Sequence, residues 1–262
     1  MNDVDPATLL ESILAMGERM GALSGSGSTD RREGYVVNRA DMPIPQSNGM
    51  YVHGPEEGPA LTDMDGLRDL FAAEGRPFGV TTIDGRTPAV ERAAGALGLR
   101  EVSADTAMSL PRSDFLPADA GDLRIERVPA TENDHWVEVA AAGFEMPSSF
   151  FRDLLTPPLV AVLDEPWIGS VIGWVDDVPV STATWIVHGT GAAIITVATP
   201  PAHRGKGYAT AVTSDAVRRG FEAGASFAWL EASPMGLGMY ERLGFRAAWT
   251  SRCRAEPDAT DG

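Results

Sequence analysis

The chain is 262 residues long, which fits one large domain or two small ones. Apolar residues make up 44 % and charged residues 22 %, so a core of ordinary size can form and global disorder is excluded. Thirty-seven acidic against 21 basic side chains leave a net charge of −16, which argues against a nucleic-acid backbone or an anionic membrane surface as partner.

Asp5 and Pro6 are suited to open a helix over residues 5–22, with Leu9, Ile13, Met16 and Met20 at helical spacing. Ser24–Ser28, a Ser/Gly run, reads as a flexible linker. Short apolar pieces follow at Tyr35–Val37 and Met50–Val52. Next come a helix at Leu61–Ala73, a strand at Phe78–Ile83, a helix at Ala89–Leu97 and a strand at Glu101–Leu110. Asp63-Met64-Asp65-Gly66 has the look of half a calcium loop, but the other ligands are missing and helix capping explains it better.

A second unit begins near Leu123, where Leu123–Val128 alternates with period two. Helices are expected at Asp134–Ala142 and Ser148–Leu155, then strands at Leu159–Leu163, Ile168–Val175, Val180–Val187 and Ala192–Val197. The last run is almost wholly apolar, as suits a strand covered on both faces. Over 207–223 the period changes: Ala209, Val212, Ala216 and Gly220 form one helical face. A strand at Ser226–Ala232, a short helix stopped by Gly244 and a strand at Phe245–Arg252 complete the pattern. The expectation is an α/β chain of the α+β type, with a mixed, mostly antiparallel sheet and flanking helices. Its expected domains are 1–120 and 121–255, with a tail at 256–262.

Cys253 is the only cysteine, and the four histidines are scattered, so neither a disulfide nor a structural metal site is expected. No apolar run approaches the ~18 residues of a membrane span, and the first residues lack a basic leader. A cytoplasmic protein is therefore expected. The acidity suits a cationic or small-amine partner, although 10 basic and 19 acidic groups before residue 121, and 11 and 18 after it, mark no single face.

The informative stretch is Ile195–Ala209, where an apolar strand ends, a Pro-containing loop follows, and Arg204-Gly205-Lys206-Gly207 opens into a helix. The first N–H groups of a helix lack internal acceptors and its dipole makes that end positive, so a phosphate can sit there. The two glycines let an anion approach the main chain. Lys206 is the only lysine in the chain. Walker A and G-x-G-x-x-G spacings are both absent. The plainer account is a glycine-rich turn with incidental charges.

Two more segments weigh against that account. Arg204-Gly205-Lys206-Gly207-Tyr208-Ala209, Val197-Ala198-Thr199-Pro200-Pro201 before it and Tyr240-Glu241-Arg242-Leu243-Gly244-Phe245 after it together resemble the GNAT superfamily of acyl-CoA N-acetyltransferases. The resemblance covers roughly residues 123–252. It implies the GNAT fold, with acetyl-CoA as co-substrate. Main-chain groups of Val197, Ala198 and Thr199 would meet the pantetheine amides. Arg204, Gly205, Lys206, Gly207, Tyr208, Ala209 and Thr210 would hold the pyrophosphate. Strands Ala192–Val197 and Ser226–Ala232 would splay around the thioester, and an N–H near Val197 would polarise its carbonyl. Tyr240 would act as general acid and Glu231 as base, with Glu145 or a water chain as alternatives. Relatives often carry Asn near Ser233; here Ser233 would cap the next helix with Pro234 at its first position, and it stands in for the Asn contact only by position.

The implied reaction moves an acetyl group, rather than an amino-acyl group, to a primary amine of a small molecule or peptide by direct attack through a tetrahedral intermediate. A non-catalytic acyl-CoA sensor is the alternative. A monomer or a homodimer is expected. Leu97-Gly98-Leu99-Arg100 echoes Leu243-Gly244-Phe245-Arg246, with Ala94 in the place of Tyr240. The first half therefore reads as a degenerate second copy in a tandem chain, or else as an unrelated extension.

Overall fold

The computed structural model describes residues 3–24, 27–40 and 42–257. The chain opens with α1 (Pro6–Leu23), β1 (Ser28–Arg32), β2 (Tyr35–Arg39), β3 (Gly49–Val52) and α2 (Glu57–Ala73). It continues with β4 (Gly79–Ile83), α3 (Pro88–Ala96), β5 (Arg100–Pro111) and β6 (Arg124–Arg127). Three helices follow: α4 (Asp134–Phe144), α5 (Ser148–Leu154) and α6 (Pro157–Val160). The rest is β7 (Ile168–Val175), β8 (Val178–His188), β9 (Gly191–Ala198), α7 (Tyr208–Glu222), β10 (Phe227–Ala232), α8 (Leu237–Arg242) and β11 (Arg246–Ala255). The elements fall into two compact units. The larger holds the chain up to Met16 and Met108–Ala248; the smaller holds Gly17–Ala107 and the residues from Trp249.

In the larger unit β6 to β9 form an antiparallel meander, and β10 joins parallel to β9 after the α7 crossover. The buried face of α7 carries Ala211, Val212, Ala216, Val217 and Phe221. It packs on a core that includes Val171, Trp185, Ile194 and Leu230. Trp185 is 1 % exposed, and its indole N–H donates to the carbonyl of Pro166 at 3.1 Å, so the ring is buried without an orphan donor. A smaller cluster gathers Trp136, Val137, Phe151 and Ile172 beneath α4 and α5.

The smaller unit orders its strands β1-β2-β3-β4-β11. β3 and β4 run parallel on either side of the α2 crossover and stay paired over four residues, Gly49↔Gly79 to Val52↔Thr82. The last strand of the chain closes this unit: Ser251–Ala255 pairs antiparallel with Ile83–Gly79. Tyr35, Met50, Val52, Met64, Phe71 and Val80 lie in its core. Two helix ends in the chain share one closure. Leu99 N–H donates to Ala94 at 3.1 Å around Gly98 (φ 82°), and Phe245 N–H donates to Tyr240 at 3.0 Å around Gly244 (φ 92°).

Several expectations change. Leu159–Leu163 is not a strand; Pro157 and Pro158 start the α6 turn, whose Val160 N–H returns to Thr156 at 2.9 Å. Ser28 begins β1 rather than ending a linker, while Gly25 and Ser26 lie outside the described residues. β1 is polar throughout, so it carries no apolar alternation to announce it. Asp63 and Asp65 cap nothing, because they lie inside α2, which starts at Glu57. Asp63 instead accepts from Arg32 at 2.7 Å and from the hydroxyl of Tyr35. The tail at 256–262 is described only as far as residue 257.

Candidate acyl-transfer site

The site elements all belong to the larger unit. β8 and β9 lose register between Thr182↔Ala198 and Thr184↔Ile195, so three steps on β9 oppose two on β8. This β-bulge places Thr196 at φ 49°, a left-handed conformation that costs a β-branched residue on the order of 1–3 kcal/mol. The extra residue leaves main-chain groups near Val197 outside the ladder. On its other edge β9 pairs with β10 over three residues only, ending at Trp229↔Ala193. Beyond that point the second half of β9 and the end of β10 (Leu230–Ala232) part, which opens the backbone of one strand edge. Ser181 fixes the end of β9 by hydrogen bonds to the carbonyl of Ala198 at 3.1 Å and to the hydroxyl of Thr199 at 2.8 Å.

After Thr199 a single 3-10 turn, Pro201–His203, leads to the glycine-rich loop. Gly205 (φ 76°) and Gly207 (φ 84°) hold backbone shapes that L side chains rarely adopt, and a Cβ on either would meet no atom within 4 Å. The space over the loop is therefore open. Gly207 precedes α7 and supplies no side-chain cap. The first N–H returned to the loop is that of Ala211, which reaches Gly207 at 3.1 Å. The preceding N–H groups of the first turn, Tyr208, Ala209 and Thr210, have no intrahelical acceptor by geometry and face the dipole's positive end. Lys206 is exposed beside them. Such a cradle suits a pyrophosphate, and the opened edge of β9 suits an amide-bearing arm, so the residues present fit an acyl-CoA.

Arg204 behaves differently from its neighbour. Its Nε donates to the carbonyl of Thr199 at 3.1 Å, and its Nη2 donates to the carbonyl of Gly143 at 2.8 Å and to Glu145 at 3.1 Å. Glu145 ends α4 in a left-handed conformation (φ 58°). Gly143 is pressed so closely to β9 that a Cβ there would lie 2.8 Å from that of Ala198.

Tyr240 stands on α8 and is 8 % exposed, its ring edge-on to Phe245 at 6.0 Å. Burial pushes its phenol up to about 12. Glu231 is exposed, on the opposite side of β10 from buried Leu230 and Ala232. The expected cap at Ser233 is not formed by its side chain. α8 starts at Leu237, and the main-chain oxygen of Ser233 accepts from Gly236 at 2.9 Å and Leu237 at 3.2 Å, while Pro234 lies in the turn before the helix. Sequence reasoning missed the bulge at Thr196 and the seat of Gly143. The second had a signal, a glycine inside a helical pattern; the first, which arises from pairing register, had none. Among the described residues no cluster of His, Cys, Asp and Glu could hold a metal ion, and no helix is long and apolar enough to cross a membrane.

Residues 125–245 match the model of the acetyltransferase (GNAT) family. In fold the chain is similar to a GCN5-related N-acetyltransferase from Kribbella flavida, with TM-score 0.70 and 22 % identity over 93 % of this chain and 95 % of that one. A GCN5-related N-acetyltransferase from Sphaerobacter thermophilus gives TM-score 0.61 at 16 % identity, covering 86 % and 81 %. A tandem GNAT protein from the clavulanic acid biosynthesis pathway gives 0.55 at 12 %, covering 94 % and 95 %. No curated protein sequence matches. The segment of the chain that is similar to the acetyltransferase (GNAT) family, residues 125–245, thus contains the bulged strand, the glycine-rich loop and Tyr240.

Proposed function

We propose that the protein transfers the acetyl group of acetyl-CoA to a primary amine of a small molecule or peptide. The observation that carries this reading is the opened, bulged end of β9 leading straight into an uncapped helix N-terminus. Together they offer two sets of main-chain groups, separated by Pro200 and Pro201, which have no N–H: a strand edge suited to amides and a helix start suited to phosphates. In this reading acetyl-CoA supplies the activated thioester. The residues from Gly205 to Thr210 hold its pyrophosphate, Val197 to Thr199 orient the arm, and an N–H near Val197 stabilises charge on the carbonyl oxygen as the amine attacks.

Tyr240 donates to the departing sulfur. At about 12 its phenol stays protonated at any working pH, so the donor is always available. The same rise makes complete transfer to a thiolate still less favourable than for a free phenol, so a strong hydrogen bond is the larger part of its contribution. Glu231 is exposed and can relay the amine's proton through water. Ser233 lies at the end of β10 beside this route. Cytoplasmic placement, and action as a monomer or homodimer, are parts of the same reading.

The smaller unit reads as a degenerate copy of the same fold. It repeats the antiparallel pair, crossover helix, parallel strand and glycine-closed helix in order. The equivalents of the working parts are closed: β3 and β4 stay paired, Ala94 replaces the tyrosine, and Glu57 at the start of α2 accepts from Ala89 at 2.6 Å and Val90 at 2.8 Å. The test is thiol release from acetyl-CoA with an amine panel, with Tyr240→Phe as control. Turnover on an amine that falls in the variant supports the enzyme. Tight binding without turnover on any amine supports an acyl-CoA sensor, and absence of binding refutes both.

A further inference from the structure

Two cations flank Gly205, and the geometry gives them different partners. Arg204 keeps 35 % of its side chain exposed, yet its donors converge on protein acceptors from two other elements. The carbonyl of Gly143 is among the last four of α4, which have no intrahelical donor. α4 also has no basic residue in its last turn. Arg204 therefore supplies from outside both the missing donor and the cation that the negative end of the helix favours. The same guanidinium holds Thr199 at the end of β9 and the carboxylate of Glu145, which sits in a conformation that non-glycine residues adopt only when held. With Gly143 seated on Ala198 and Thr199, the end of α4 and the end of β9 form one clamped corner.

We propose that Arg204 is a positioning residue and not a phosphate ligand: it locks Gly143–Glu145 at the end of α4 to the strand that leads into the pyrophosphate loop, so that filling the loop firms the α4 wall. The loop's usable positive charge is then Lys206 alone. The coupling to a filled loop rests on the acetyltransferase reading; the strap itself does not.

The test compares Arg204→Ala, Arg204→Gln and Lys206→Gln. Gln keeps a donor for the carbonyls but has no charge, so it separates the two roles. In the protein without ligand, amide exchange at Glu145 and Met146, whose N–H groups close α4 on Ala141, rises about tenfold in Arg204→Ala, matching the loss of one charge-assisted hydrogen bond, and returns toward wild type in Arg204→Gln. With acetyl-CoA added, exchange there slows in wild type and not in Arg204→Ala. The salt dependence of acetyl-CoA affinity flattens in Lys206→Gln and keeps its slope in Arg204→Gln. Equal flattening in both glutamine variants overturns the proposal and makes Arg204 a phosphate ligand. Unchanged exchange at 145–146 in Arg204→Ala overturns it as well. If wild type binds no acetyl-CoA, the functional reading fails alone and ligand-free exchange still judges the strap.

Discussion

At the scale of single residues, Gly207 and Tyr240 make the sharpest predictions. Gly207→Glu brings a carboxylate to the mouth of the anion cradle and a side chain to φ 84°. No atom within 4 Å opposes the new Cβ, so the backbone strain of about 1 kcal/mol is the main structural cost. Acetyl-CoA affinity measured by calorimetry should drop below detection while the thermal midpoint moves by a few degrees. Unchanged affinity would show that the pyrophosphate lies elsewhere. Tyr240→Phe should lower kcat by roughly 10- to 100-fold with little change in acetyl-CoA affinity, as expected of a donor used in the transition state. The same tyrosine gives a pH signature. Its folded pKa is about 12 against 10.0 for a free phenol, so its stabilising contribution is complete below pH 10 and is lost as pH rises to 12. Urea midpoints of wild type should fall across that window, and those of Tyr240→Phe should fall less. Arg204 carries a different lesson at this scale. Its basic character and place in the loop were legible in the sequence, but two of its three partners, Gly143 and Glu145, lie some 60 positions away, and only folding reveals that they claim its donors.

At the scale of elements, what could be read depended on where the information sits. α7 was legible because its apolar stripe and its glycine-rich start are local. Its fit against β9 was not, since it depends on Gly220 facing Ala192. A Cβ on Gly220 would come within 2.7 Å of the Cβ of Ala192, a strand atom that cannot swing aside. Gly220→Ala should therefore destabilise the larger unit by about 1–2 kcal/mol in urea melts, overpacking outweighing the gain of about 1 kcal/mol in helix propensity. A more stable variant would mean that α7 slides freely on the sheet. β1 escaped notice for a related reason. An edge strand of Ser, Thr, Asp and Arg has no buried face to imprint a pattern, and polar edges are what deter strand addition. Leu159–Leu163 misled in the other direction, because its apolar residues suit a strand while Pro157 and Pro158 set the backbone first. The bulge at Thr196 belongs to a pair of strands and not to either alone, so no single stretch of sequence could display it.

At the scale of the whole molecule, the two units invite a count. The parallel pair of the smaller unit stays closed where that of the larger unit opens, so one acetyl-CoA per chain is expected by calorimetry. A stoichiometry of two would mean that the β3–β4 pair parts to admit a ligand. The composition fits this economy. The chain carries a net charge of −16 yet places its single lysine beside the one cradle described for an anion.

The placement of β11 has a consequence in time. Gly17–Ala107 leave the ribosome early, but the strand that completes their sheet, with buried Trp249, Ser251, Cys253 and Ala255, follows all of Met108–Ala248. At ~5–20 residues per second, β4 waits roughly 8–34 s between its own end at Ile83 and the arrival of Ser251, with one edge uncovered. The first unit to be made is then the last to be finished, and a chain stopped after Ala248 should leave residues 17–107 open to limited proteolysis while the larger unit resists. During synthesis the hazard lies in that bare edge, where a neighbouring nascent chain could add a strand of its own before β11 arrives.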